Sequence, residues 1–446
     1  MKNPVFIIGA GASGISCAYQ LAKRNIKCTI LESTDHIGGV GATYDTGKYR
    51  IERTYHSLYK GDTEIINTIN ELGLSKCIIW NEPRLGYIVD GKLRDFSSPF
   101  KLLFNPDMGF QDKLKLGYIT FKINRANPWQ ALDKITVKDI VYQYGSVHLY
   151  KYLFEPLVHA RWGKYRDSIS AAWLWGRIYP RASSRKLSGR ENVGYINGSF
   201  QLLLEKMCDF SMEKGCIIKL NSKCAEIRVS RAGLKSLTYI DSSGKHVIKN
   251  PIVISTIPIP ILIGILKGID NDYRNQLHEI KYMHNICLIV SSKEPLTHLC
   301  QIPVSPGQAT FSGLVEWTNF VSSEYFNNEH LVYVFKYISA KHPDWYKTDN
   351  QLESQYLSDL ENLISTFDRK KINWCRLFRN EYATPVYEKN YLNYMPRCGT
   401  KYKNFYLSGI FSTYPVNDYN NAMIIAKKAV ESMCRDYPVS TGNKQF

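Results

Sequence analysis

Near the start of the chain, Gly9-Ala10-Gly11-Ala12-Ser13-Gly14 have the types and spacing to hold a pyrophosphate. Gly9 permits a tight turn, Gly11 lets backbone approach a phosphate, and Gly14 lets a helix pack closely on the preceding strand. Amides at a helix start carry partial positive charge and lack partners inside the helix, so those of Ala12 and Ser13 would face an anion. Glu32, about twenty residues further on, stands where a carboxylate accepts hydrogen bonds from a ribose hydroxyl, with Ser33 beside it. A glycine pattern alone is common, but here its context is complete. Val5-Phe6-Ile7-Ile8 reads as a buried strand, and Ile15, Ala18, Leu21 and Ala22 recur at helical spacing. A second strand, Ile30-Leu31, ends at Glu32, and Gly38-Gly39 follow. The expected chemistry is dinucleotide binding on a βαβ unit.

The elements that must hold this loop belong to a long chain. Its 446 residues exceed what one simple core serves and predict two interleaved units. With 44% hydrophobic and 22% charged residues it reads as an ordinary soluble globular protein. The formal charge of +17 points to anionic partners, whether a phosphate- or carboxylate-bearing substrate or an anionic membrane surface. Part of that charge gathers in 161–190, where Arg161, Lys164, Arg166, Arg177, Arg181, Arg185, Lys186 and Arg190 lie. Without a nucleic-acid module, nucleic acid is not expected as a partner. Eleven cysteines show neither a CxxC pair nor metal-ligand spacing, so no metal is expected and a reducing cytoplasm suits them. The apolar run Ile252–Leu266 is broken by Pro258 and Pro260 and is too short to span a bilayer.

The pattern along the chain predicts an α/β fold with a discontinuous Rossmann-like unit. Alternation in 44–51 predicts a hairpin, and Ile65, Ile66, Ile69 and Leu72 predict a helix over 62–73. Tyr87 to Leu93 predicts a second hairpin with Asp90-Gly91 at its tip. From about 76 to 190, short helices rich in Tyr, Trp, Lys and Arg read as an insert. Regular βαβ order returns near Gly198, with strands at 216–220, 225–229 and 253–258. The expected first unit is therefore 1–75, 191–258 and 385–437. A mixed α+β substrate or cap unit takes 76–190 and 259–384, and 438–446 is a loose tail.

Several further blocks then resemble the flavin amine oxidase, protoporphyrinogen oxidase and phytoene desaturase clan of FAD proteins. The first is the glycine block ending at Gly38-Gly39, where Val40 stands in place of the family's arginine. The second runs from Gly47 through Glu52 to Thr54-Tyr55-His56 and is similar to the family's approach to the flavin ring. The third is Asn197-Gly198-Ser199-Phe200, like the family's Gly-Gly-Phe helix start, followed by a strand pair whose backbone near Cys224 would meet the adenine. The fourth, Val253 to Pro258, resembles the family's return to the substrate unit. The fifth is Phe405-Tyr406-Leu407-Ser408-Gly409-Ile410 with Asn420-Asn421-Ala422, like the segment that passes the pyrophosphate and aims a helix at the flavin pyrimidine. The block from Phe154 to Ile178 looks like protoporphyrinogen-oxidase-like bacterial proteins.

The resemblance implies non-covalent FAD and a cytoplasmic oxidoreductase. Such an enzyme moves a hydride from an organic substrate to flavin N5, by dehydrogenation, desaturation or amine oxidation. It implies His56 and Tyr382 as catalytic candidates, with Tyr387, Tyr419 and Arg177 toward the substrate. Arg161, Arg181 and Arg185 are further candidates to grip a phosphate or carboxylate, while Trp162, Trp173 and Trp175 read as core of the insert. The expected substrate is small and anionic or lipid-like, with peripheral contact at the inner face of a membrane. Two other readings stand beside it. A nucleotide-sugar mutase of the UDP-galactopyranose type shares the stretch His36-Ile37-Gly38-Gly39, and prenyl or lipid escort proteins share the clan without catalysis.

Overall fold

A computed structural model describes residues 3–126, 128–184 and 191–437. Arg185, Lys186, Arg190 and the expected tail 438–446 lie outside the described residues. Five parallel strands form the first sheet, in the order Ile217–Lys219, Thr29–Leu31, Val5–Ile8, Ile252–Ser255 and Phe405–Leu407. Their apolar runs are buried because both faces are covered, one by helices and the other by the antiparallel strands Lys223–Ser230 and Gly233–Asp241. The helices Ala12–Ala22, Ser199–Glu213 and Tyr419–Asp436 lie together on this unit. The first strand sits where strand order reverses, the position at which open α/β sheets form a crevice beyond their strand ends.

The second large sheet is antiparallel and runs Gln301–Pro303, Gly313–Glu316, His330–Ser339, Tyr282–Ser292 and Ile372–Pro385. Every residue of Tyr282–Ser292 is buried because both of its faces are covered. Ile286, Leu288 and Val290 pack beneath the helix Asp349–Leu363, while Cys287 and Ile289 join a core toward the parallel-sheet unit. Period-two alternation thus serves two different cores. Between residues 99 and 183 the described residues are mostly in short helices, and the helix Glu155–Trp162 packs on the strand His330–Ser339. A smaller sheet joins Leu58–Tyr59, Val193–Ile196 and Ile78–Asn81. It pairs strands on the two sides of the expected boundary at residue 75.

Local signals explain the short elements. Asp90 and Gly91 take φ of 49° and 68° between the strands Gly86–Val89 and Lys92–Asp95, the geometry of a tight right-twisted hairpin. Thr136 and Thr348 cap helices through capping boxes with Asp139 and Gln351. All eleven cysteines are free thiols, and Cys28 donates to the Cys216 sulfur at 3.4 Å within the parallel-sheet core. No helix of the described residues is long and apolar enough to cross a membrane.

Candidate functional site

At the C-terminal end of the first strand, Gly9 adopts φ of 101°, a conformation open to glycine and strained for other residues. Its amide donates to the Leu31 carbonyl at 2.8 Å, which ties the turn to the second strand. A methyl group on Gly14 would overlap the Gly9 carbonyl oxygen, so the helix can start against the strand only with glycine there. Gly11 differs. A methyl group on it would meet nothing nearer than the Gly39 Cα at 3.8 Å. No side chain caps the helix that begins at Ala12, so its first amides face the open crevice. Glu32 accepts from the Ala10 amide at 2.8 Å through Oε2 and from the Thr34 amide at 2.9 Å through Oε1. The carboxylate is thereby held at the mouth of the turn, and Oε2 keeps a lone pair for another donor.

From this turn a cavity of about 470 Å³ extends across the molecule. Its near end is lined by Gly9, Gly11, Ala12, Ser13, Glu32 and Ser33, with Gly38, Gly39 and Val40 along one side. Thr54, Tyr55, His56, Ile410, Tyr419 and Ala422 line its middle. The far end is formed by Arg161, Trp162, Trp173 and Arg177 from the helical insert, facing Tyr337, Tyr382 and Tyr387. Residues separated by hundreds of positions therefore meet in one continuous space.

Five of the expected cofactor residues do not line this space. Gly14 packs the helix, as above. Gly409 precedes the lining residue Ile410, and the side chain of Asn420 turns away to accept the Glu64 and Ile65 amides at 3.0 and 3.2 Å. Asn421 donates its amide to Asp418 at 2.8 Å, making Asp418 the cap of the closing helix. Cys224 is buried in the strand Lys223–Ser230, where it faces Tyr239 across the ladder. It lies two residues beyond Ser222, whose amide donates to the Glu32 carbonyl at 2.7 Å. The strand pair expected on the adenine side thus begins beside Glu32, while the Cys224 side chain belongs to the core.

The middle of the cavity carries polar atoms without partners. The His56 Nδ1 and the Tyr419 hydroxyl are buried and make no hydrogen bond among the described residues. Burial, reinforced by Arg161 and opposed by the Thr54 backbone, pushes the His56 pKa down to about 4, so its ring is neutral at pH 7. Tyr419 stacks on Phe200 at 4.7 Å and meets His56 edge-on at 5.1 Å. A methyl on Gly41 would overlap the Tyr419 hydroxyl, so this ring sits tightly over the glycine loop. Orphaned polar atoms beside a glycine cradle and uncapped helix amides fit a polar, extended cofactor such as FAD.

Glu52 supports this region from behind. It is fully buried, accepts the Phe200 amide at 2.9 Å and the Tyr195 hydroxyl at 3.0 Å, and its carbonyl accepts from Tyr333 at 2.9 Å. Ser199, at the family's second glycine, takes φ of 76° and accepts the Gln201 amide at 3.1 Å through its hydroxyl, so Ser199 and Glu52 together hold the amides of this helix start. Burial raises the Glu52 pKa to about 7, against the lowering effect of those donors. Between the ordinary 4.5 and this value the folded chain holds a proton that the unfolded chain releases. Stability therefore falls as pH rises through that window and the loss is complete above it. Glu52→Gln keeps an acceptor for Phe200 and does not titrate. Urea unfolding is expected to show the variant gaining on the wild type across the window, by on the order of 3 kcal/mol at its top. A difference that does not change with pH would refute the raised pKa.

At the far end, Arg177 lies over the Trp173 ring at 5.5 Å and Arg161 over the Tyr337 ring at 4.1 Å. Neither forms an ion pair or donates a side-chain hydrogen bond among the described residues, whereas Arg181 pairs with Glu191 at 3.1 Å. Burial, then Arg181 and Arg161, brings the Arg177 pKa down to about 10, so it remains charged at neutral pH. Trp162 and Trp173 are core residues and also wall this end. Tyr382 stands on a bulge where Glu381–Ala383 oppose His284, with φ of 55° and its amide donating to the His284 Nδ1 at 3.0 Å. That bulge turns an otherwise alternating strand residue into the cavity. Tyr387 is buried, with its hydroxyl 3.2 Å from the Thr413 hydroxyl. Asp418, Asn285, Cys287 and Phe335 also line the cavity and were not singled out from sequence. Asp418 alone had a usable signal, as an N-cap residue type before a helical run.

The model of the flavin-containing amine oxidoreductase family matches residues 12–423. A flavin-containing amine oxidase of Oncorhynchus mykiss is 26% identical over 219 residues, covering 44% of this chain and 40% of that enzyme. The chain thus spans less than half the length of that curated relative. The crystal structure of a protoporphyrinogen oxidase candidate from Exiguobacterium sp. 255-15 superposes with a TM-score of 0.77 at 15% identity, covering 98% of this chain and 99% of that one. A reduced UDP-galactopyranose mutase superposes with a TM-score of 0.73 at 13% identity, covering 98% and 97%. Identities this low show a shared fold.

Proposed function

The chain belongs to the flavin-containing amine oxidoreductase family, and from that premise we propose an FAD-dependent oxidoreductase whose substrate carries a carboxylate or phosphate. The observation that supports this substrate class is the pair Arg161 and Arg177, charged, facing the cavity and without a carboxylate partner among the described residues. Two unpaired guanidiniums oppose an alkylammonium and favour an anion, which they can grip through planar paired donors. When bound, FAD supplies the acceptor for a hydride from a substrate C–H bond.

In this reading the parallel-sheet unit holds the cofactor non-covalently and the helical insert with the antiparallel sheet shapes the substrate pocket. Glu32 orients the ribose, the amides of Ala12 and Ser13 face the pyrophosphate, and Tyr419 with His56 borders the flavin. The neutral His56 ring acts there as a hydrogen-bond acceptor and does not supply a proton. Trp162, Trp173 and Tyr337 exclude water, while Tyr382 and Tyr387 flank the reacting carbon. The basic end equally suits a diphosphate, which keeps a nucleotide-sugar mutase without net redox as the second reading.

Anaerobic titration separates these. Purified protein is expected to be yellow, and its flavin absorbance should bleach with acid- or phosphate-bearing substrates and return with air or a quinone. Bleaching by simple amines and not by their acidic counterparts overturns the substrate class. Turnover of a nucleotide sugar by pre-reduced protein, with no net re-oxidation, favours the mutase.

A further inference from the structure

The helix Phe110–Asn124 is apolar on two opposite sides. Ile119 and Ile123 are fully buried and face the insert core. Phe110, Leu114, Tyr118 and Phe121, at spacings of four, four and three, form a stripe on the other side and are 68%, 60%, 47% and 53% exposed. The short helix Pro99–Leu103 and the residue after it add Phe100 and Phe104, 73% and 77% exposed. A surface helix needs one apolar face, and a contiguous second one marks a contact with something outside the chain.

The charges around this patch say what that contact is. Lys113, Lys115, Lys122 and Arg125 flank the stripe, with Lys101 on the preceding helix. Lys122 lies over the Tyr144 ring at 4.9 Å and Arg125 over the Phe121 ring at 4.5 Å. No carboxylate pairs with Lys113, Lys115, Lys122 or Arg125 among the described residues. The segment's two acids are engaged elsewhere, Asp107 with Arg94 at 2.6 Å and Asp112 with His148 at 2.7 Å. A second copy docking here by two-fold symmetry would set these cations against their own counterparts. We infer that this face docks on an anionic lipid bilayer, with Phe100, Phe104, Phe110 and Leu114 entering the acyl boundary and the lysines meeting lipid phosphates. Such a helix lies in the plane of the interface and does not cross it. The helix also packs on Ala171–Ser183, which carries Trp173 and Arg177, so the bilayer sits one helix away from the cavity.

Flotation with phosphatidylcholine vesicles, with and without phosphatidylglycerol, tests this independently of activity. The wild type is expected to float with the anionic vesicles. The triple variant Phe104→Ser, Phe110→Ser, Leu114→Ser changes only exposed side chains; it should stay unbound with thermal unfolding and flavin absorbance unchanged. Lys113→Gln, Lys115→Gln, Lys122→Gln together should weaken binding to anionic vesicles roughly a hundredfold. A wild type that does not float overturns the inference. So does a serine variant that floats equally well, which would leave only the general charge of +17. A dimer that the serine variant dissolves, without vesicle binding, overturns it in favour of a second copy.

Discussion

Gly11→Ala should purify folded and nearly colourless, whereas Gly14→Ala should fail to fold stably at all. Both glycines belong to one six-residue motif, but their surroundings differ. A methyl on Gly14 overlaps a backbone carbonyl that the first strand and the turn hold in place, and backbone has no rotamer by which to escape. The expected cost exceeds about 3 kcal/mol, the range of severe overpacking, and is read as lost soluble protein or a large fall in melting temperature. A methyl on Gly11 makes only ordinary van der Waals contact and φ there is −76°, which any residue adopts. It projects into the crevice in front of the uncapped helix amides, where a pyrophosphate would lie. Apo stability should therefore stay within about 0.5 kcal/mol while FAD affinity falls by roughly two orders of magnitude. A Gly11→Ala protein that retains stoichiometric flavin would show that the dinucleotide does not pass this turn.

Arg177→Met should raise stability and lower activity together. The guanidinium is half-buried against Trp173 with neighbouring cations and no acid to offset it, so removing its charge relieves an electrostatic cost. Methionine keeps most of the aliphatic packing on the ring. The expected gain is about 1–2 kcal/mol by urea unfolding, with flavin absorbance unchanged. KM for an acidic substrate should rise at least a hundredfold, the usual result of removing one partner of a buried charged hydrogen bond. Loss of stability in Arg177→Met would instead mark the arginine as structural. Unchanged KM for every acidic substrate would remove the substrate class proposed above.

Much of the frame was legible because its signals are local. Glycine identity at 9, 11 and 14, the acid at 32 and the helical periodicities at 15–22, 62–73 and 421–433 lie within short windows. So does the Asp90-Gly91 tip, where two residues by themselves specify the turn. Glu52 shows the opposite case. Its sequence neighbours mark it as a strand residue, but the burial that raises its pKa and the Phe200 and Tyr195 donors that oppose the rise are set by residues more than a hundred positions away. Tyr382 could be suspected only as one aromatic among 31 tyrosines. Its place in the cavity depends on a bulge against His284 that no alternation pattern announces. Asn420 reversed in role for a similar reason: its amide oxygen is taken by the start of a helix more than three hundred residues earlier.

By itself the sequence determined the glycine turn, the βαβ unit that carries it and the family to which the chain belongs. Those follow from backbone conformation and periodicity, which neighbouring residues set. Only the tertiary structure decided which side chains share the far end of the cavity and which charges there lack a partner. It also decided that the helix Phe110–Asn124 keeps an apolar face outward. Desolvation and pairing are properties of the space around a group, and that space is made by residues the chain brings together from far apart.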